Sequence, residues 1–117
     1  MTKEDKELLL KDLCARLPYE VKLDTPDGLD TLGNIDINEG WINVSYDVDE
    51  VNPYLRSMDD MTEAEEFALD ETRCYTQLTL ESYDWLNKHH FDYRHLIEKG
   101  LALEAPEGMY EIVPTSI

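Results

Sequence analysis

All three histidines of the chain fall in one run, Lys88-His89-His90-Phe91-Asp92-Tyr93-Arg94-His95. Imidazole nitrogens and carboxylate oxygens are the ligands that divalent transition metals take. His90, Asp92 and His95, with Glu98 nearby, therefore make a candidate centre for a small metal-binding protein or metal-dependent enzyme. A zincin would carry His-Glu-x-x-His on one helix, with the glutamate as base. That spacing is absent, and Phe91-Asp92 reads as a corner between two helices. The competing reading, that these side chains cap helices and solvate a turn, is the stronger one. Calcium fares no better. An EF-hand loop started at Asn34 supplies Asn34, Asp36 and Asn38, but puts Glu39 where glycine is needed and Ser45 where the final glutamate belongs. Any two of the 27 acids would serve acid–base catalysis, so their presence selects nothing. There is no Gly-x-Ser-x-Gly elbow, phosphate loop, dinucleotide fingerprint or Cys-x-x-Cys pair. No catalytic or cofactor-binding residue is assigned and no cofactor is expected. A small enzyme is left open, but nothing in the residues points to one.

The stronger signal is the acidic middle. The 117 residues hold 27 acids against 10 Lys plus Arg, a net charge of −17. Residues 1–23 are balanced, and residues 73–117 contribute only −3. Residues 24–72 hold 15 acids and a single base, Arg56, a net of −14. Even solvation would not need that asymmetry. Asp47, Asp49 and Glu50, then Asp59 and Asp60, then Glu63, Glu65 and Glu66 would line a negative ridge. Such a ridge speeds encounter with a basic protein surface and weakens with salt. Spaced carboxylates also imitate duplex phosphates, so an inhibitor or nucleic-acid mimic belongs to the same class. Asp47, Asp49, Glu50, Asp59, Asp60, Glu63 and Glu66 are the candidate partner-binding residues. A plain solvated surface is the competing reading. Direct contact with DNA, RNA or an anionic membrane is disfavoured, because those partners need positive charge. Leu80 to Ala105 has the outline of a winged helix–turn–helix, but Asp92 and Glu98 offset Arg94 and Lys99.

The elements that must position these groups follow from periodicity. Residues 2–17 read as a helix, with Thr2 and Asp5 in a capping pattern, Leu10, Leu13, Cys14 and Leu17 at helical spacing, and Leu9 broadening the stripe. Pro18 ends it. Residues 19–25 alternate as a strand, Thr25-Pro26-Asp27-Gly28 is a turn, and residues 29–37 alternate again, with a bend at Gly33. After Asn38-Glu39-Gly40, Trp41 to Val48 reads as a third strand. Ile42, Val44, Tyr46 and Val48 would lie on one face, with Trp41, Asn43, Ser45, Asp47 and Asp49 on the other. These three strands form a meander compatible with an SH3-like sheet. Tyr54-Leu55-Arg56 is a short fourth strand. Thr62-Glu63-Ala64-Glu65 is a capping box that opens a helix to about Glu71. Residues 74–80 read as a strand, Ser82 to His90 as a helix, and Tyr93 to Lys99 as a short helix ended by Gly100. Leu101, Leu103 and Ala105 alternate toward a turn, Met109 to Val113 is a last strand, and Pro114 to Ile117 a tail.

Composition bounds the class. The apolar fraction is 42%, and Leu, Ile, Val and Phe number 29, about a quarter of the chain. That exceeds the roughly 20% below which high charge argues for disorder. One core fills a chain of this length, so residues 1–117 are expected to be a single domain. The start lacks a secretory pattern and no run is long enough for a membrane span. Cys14 and Cys74 are read as reduced thiols in a cytoplasmic protein, Cys14 in the core.

Three stretches carry a resemblance. They are Lys11-Asp12-Leu13-Cys14-Ala15-Arg16-Leu17-Pro18-Tyr19, then Tyr54-Leu55-Arg56-Ser57-Met58 with Met61-Thr62-Glu63, then Trp85 to Arg94 with Leu96 to Ala102. Together, roughly a third of the chain, they resemble a family of small acidic proteins from gut Bacteroidales and their phages or mobile elements. In that family the residue after Pro-Tyr is usually glycine, where this chain has Glu20. The resemblance implies a bacterial or phage cytoplasmic setting and brings no activity, cofactor or catalytic residue.

The expected architecture is α+β, an amino-terminal helix packed on a small antiparallel sheet, with short helices of the second half completing the core. The expected function is a non-catalytic acidic interaction protein that binds a basic protein surface.

Overall fold

The computed structural model describes residues 1–113; the tail read at Pro114 to Ile117 lies outside the described residues. The fold is mixed α+β, with an amino-terminal helix, small antiparallel pairings and further short helices. Helix α1 spans Lys3–Arg16, and Thr2 caps it by accepting the Asp5 N–H at 3.1 Å. A 3-10 turn over Leu17–Tyr19, carrying Pro18, ends it. The buried stripe of α1 is Leu9, Asp12, Leu13 and Arg16; Leu9 and Leu13 lie in the core as expected and Leu10 and Leu17 pack against it, while Cys14, expected in the core, is only half-buried. The spacing is just as helical, but two of the four residues are charged and reach the interior only because they find partners there.

Strands β1 (Lys22–Thr25) and β2 (Gly28–Thr31) form a hairpin across Pro26 and Asp27, with Thr25 opposite Gly28. Gly28 sits at φ 106°, a conformation that glycine adopts freely. The expected single meander is divided. Strands β3 (Ile35–Asp36), β4 (Trp41–Ile42) and β5 (Tyr46–Asp47) form a separate antiparallel sheet. The expected strand over Trp41 to Val48 is itself a tight hairpin, because Asn43 and Val44 have φ of 51° and 69° and turn the chain. Asn43 fixes that turn. Its Oδ1 accepts from the Gly33 and Asn34 N–H groups, and its Nδ2 donates to the Thr31 carbonyl at 2.8 Å.

Strand β6 (Asn52–Leu55) pairs antiparallel with β1, and β7 (Leu103–Glu104) adds parallel to β6. The larger sheet thus runs β2-β1-β6-β7. A parallel neighbour needs a long crossover. Here it contains α2 (Glu63–Asp70) and α3 (Leu80–Lys88). Helix α2 opens with the expected capping box of Thr62 and Glu65. Three expected elements do not form. In place of the strand over residues 74–80 there is an isolated bridge between Cys74 and Gln77, because Tyr75 at φ 58° reverses the chain, and Leu80 already opens α3. Residues 93–99 are turns, interrupted by His95 at φ 60°. Residues 109–113 are irregular and cross the strands: the Tyr110 hydroxyl accepts from the Lys22 N–H and donates to the Tyr54 carbonyl, both at 2.8 Å.

The core has two parts. The larger gathers Leu9 and Leu13 of α1 with Val21, Leu23, Ile42, Val51, Leu55 and Leu96. The smaller holds Leu69, Leu86 and Phe91. Phe91 stands at their junction, where two arginines converge: Arg16 donates to its carbonyl at 2.6 Å, and the Arg56 guanidinium lies 4.2 Å from its ring centroid. No helix among the described residues is long and apolar enough to cross a membrane.

Candidate functional site

The arginines carry the electrostatic logic of the molecule. Arg16 is fully buried against Asp12 at 2.8 Å, one helical turn away. Arg94 reaches the other oxygen of Asp12 at 2.8 Å. Arg56 grips Glu65 with two hydrogen bonds of 2.7 Å. Three of the four arginines therefore face inward, paired with acids. Only three of the 27 acids, Asp12, Glu65 and Asp92, are buried. Folding turns arginine charge inside and leaves the acids outside.

The candidate partner-binding residues divide into two groups. Asp47 and Glu50 cap the 3-10 turn over Val48–Glu50 reciprocally, and Asp49 pairs with Lys6 of α1 at 3.1 Å. Asp59, Asp60, Glu63 and Glu66 are exposed at the far end of β6. Four strand residues advance the chain by about 13 Å, and β6 lies between the groups. Glu65 is buried on Arg56 and leaves the ridge.

The second group has neighbours that the linear reading did not supply. Asp59 borders a hollow of about 190 Å³ with Asp92, His95, Glu98 and Glu104. Asp60 borders one of about 320 Å³ with Glu104 and Glu107. The parallel addition of β7 brings these glutamates in, and no local signal announced a parallel strand.

The histidine corner is taken apart. His90 stacks on Tyr110 at a centroid distance of 3.8 Å and borders a different hollow, of about 540 Å³, with Tyr19, Trp85 and His89. Burial, then the charges of Arg16, His89, Arg56 and Lys22, push the His90 imidazole down to about 4. Burial likewise lowers His89. Asp92 is buried and caps the chain ahead of it, accepting the Leu96 N–H at 2.8 Å and the Ile97 N–H at 3.0 Å. His95 is exposed. The structure therefore separates His90 from Asp92 and His95, and among the described residues no three His, Cys, Asp or Glu side chains are grouped to hold a metal ion. Cys14 is half-buried, which raises its thiol, and Cys74 is exposed.

One arrangement escaped the linear reading except for a single clue. Asp36 pairs with Trp41, and Trp41 with Asp47, so the three stand in a row across β3, β4 and β5. Alternation along residues 41–48 had put Trp41 and Asp47 on one face; the hairpin keeps them together by pairing instead.

No family model, curated protein or solved structure matches the chain.

Proposed function

We propose that this chain is a non-catalytic acidic interaction protein of a bacterium, phage or mobile element, binding a basic protein surface. The observation that carries the reading is the inward turn of Arg16, Arg56 and Arg94 against an outer surface that keeps 24 of the 27 acids. A domain needing charge only for solubility would gain nothing from burying arginine, whereas one presenting a negative field gains by removing cations from its surface. Asp47, Asp49, Glu50, Asp59, Asp60, Glu63 and Glu66 contribute to that field, and Glu98, Glu104 and Glu107 extend it beside Asp59 and Asp60. An inhibitor or nucleic-acid mimic is the special case in which the partner's basic surface is itself a nucleic-acid groove.

The test is capture from a nuclease-treated lysate at low and high salt, by the native chain and by a variant carrying Asp47→Asn, Asp49→Asn, Asp59→Asn and Asp60→Asn. The expected result is a basic protein held at low salt, released at high salt and lost by the variant. Equal retention by the variant, with unchanged salt dependence, overturns the reading. Competition by duplex DNA identifies the mimic.

A further inference from the structure

We infer that the outer face of the β3–β5 sheet is an arginine-binding surface, with Trp41 as the platform and Asp36 and Asp47 as anionic walls. Its occupant is an exposed arginine on a basic segment of the protein partner, so the inference rests on the reading above and locates its contact.

The register fixes the geometry. Directly paired residues of antiparallel strands point to the same side, with Cβ atoms about 5 Å apart. The pairs Asp36–Trp41 and Trp41–Asp47 therefore set an indole between two carboxylates. The adjoining row, Ile35, Ile42 and Tyr46, faces the core, with Ile42 fully buried. Trp41 is consequently turned outward and is 41% exposed, although nothing in the packing of the fold requires an indole there. Exposed Ile37 and Val44 stand in the loops at the two ends of β4.

The carboxylates are held but not saturated. Asp36 uses Oδ1 to accept from the Asn38 and Glu39 N–H groups, and Asp47 uses Oδ1 to accept from the Asp49 N–H. Oδ2 of Asp36 accepts no hydrogen bond among the described residues, whereas the Asp47 carboxylate also accepts from the Glu50 N–H; among those residues neither is paired with a cation. No Lys or Arg occurs between Lys22 and Arg56, so no basic residue from this stretch fills the site. Charge and shape together select the occupant. An anionic group would be repelled, and an aliphatic one would leave both carboxylates unpaired. A guanidinium stacks its plane on an indole while its edge donates to carboxylates on either side. Lysine offers a point charge without the plane and fits less well.

The experiment is a nitrogen-15 NMR titration of the whole chain with acetylated hexa-arginine amide at low salt. We expect the Trp41 indole N–H and the Asp36 and Asp47 amides to shift, and the Trp85 indole not to. Asp36→Asn with Asp47→Asn should weaken binding by about tenfold, because asparagine keeps an acceptor oxygen for the local turn and cap and loses the charge. Asp59→Asn with Asp60→Asn makes the same change in net charge and should weaken it by less than about threefold. Trp41→Leu should also weaken it, and hexa-lysine should bind less tightly than hexa-arginine. Equal weakening by the two aspartate pairs, or binding that leaves Trp41 unmoved, overturns this site and leaves the basic-partner reading standing. No binding of either peptide likewise overturns this site, and the basic-partner reading is decided separately by the lysate capture.

Discussion

Arg56 holds Glu65 through two hydrogen bonds of 2.7 Å and lays its guanidinium over the ring of Phe91. The pair ties β6 to the first turn of α2 and closes the smaller core cluster. Burial pushes the Glu65 carboxyl up, but the hydrogen bonds from Arg56 and the Thr62 N–H, with the charge of Arg56, hold it below its ordinary value. Glu65→Gln would leave Arg56 buried without its counter-ion, and removing one partner of a buried pair costs about 3 kcal/mol or more. Urea denaturation should show the midpoint fall with the slope unchanged. Because the folded carboxyl is the stronger acid, its contribution is complete above the unfolded value of about 4.3 and disappears as pH falls through the folded value.

His90 makes a second acid sensitivity, in a higher window. Its folded pKa of about 4 lies below the roughly 6.5 of an unfolded histidine. The unfolded chain therefore takes up the proton first, and stability falls as pH drops from about 6.5 to 4. With allowance for the partial exposure of the ring, the loss should be about 2 kcal/mol. His90→Phe keeps a ring against Tyr110 and removes the titration, so its stability should stay flatter across that window. A slope identical to that of the native chain would contradict the assignment.

Asp92 should matter as a cap and not as a ligand. Asp92→Ala strips the acceptor from the Leu96 and Ile97 N–H groups, and each unsatisfied buried donor costs about 1–3 kcal/mol. A loss of about 3 kcal/mol is expected, with Asp92→Asn losing less because one acceptor oxygen survives. Added zinc should restore neither variant, as thermal melts with and without the metal would show.

Among the exposed non-glycine residues that hold left-handed backbone are Glu20 at φ 56° and Val44 at φ 69°, beside Tyr75 and His95. For a β-branched residue this conformation is a true outlier. Val44→Asn should therefore raise stability by about 1 kcal/mol. Glu20→Gly, which removes the side chain from a left-handed position, should be neutral or stabilising by a few tenths. Gly28→Ala, at φ 106°, should instead destabilise the hairpin. Melting temperatures of the three variants order these effects.

Local chemistry was legible wherever neighbours in sequence decide it. Thr2 and Thr62 cap their helices as read, Pro18 ends α1, and Gly28 and Gly100 take the turn conformations that glycine favours. Alternation found β1 and β2, the fourth strand read at Tyr54 to Arg56 begins two residues earlier as β6, periodicity gave an α+β protein, and the charge count put its negative charge in the middle. Alternation failed at Trp41 to Val48, because the turn at Asn43 is fixed by bonds to Gly33, Asn34 and Thr31, which no period reveals.

What the sequence determined alone was the capped starts of α1 and α2, the strands β1 and β2 with their turn, the class and the charge imbalance, since each follows from local pattern or from composition. Tertiary structure decided where the charges went. Asp12, Arg16, Arg56 and Glu65 look like surface residues by type, and they are buried because Phe91 and Arg94 arrive from distant parts of the chain. His90 and Asp92 look like ligands by type, yet one stacks on Tyr110 and the other caps backbone. Trp41 gained its two flanking carboxylates only from strand register. A charged or polar side chain is stable wherever its partners are, and for these residues the partners lie beyond the reach of any local pattern.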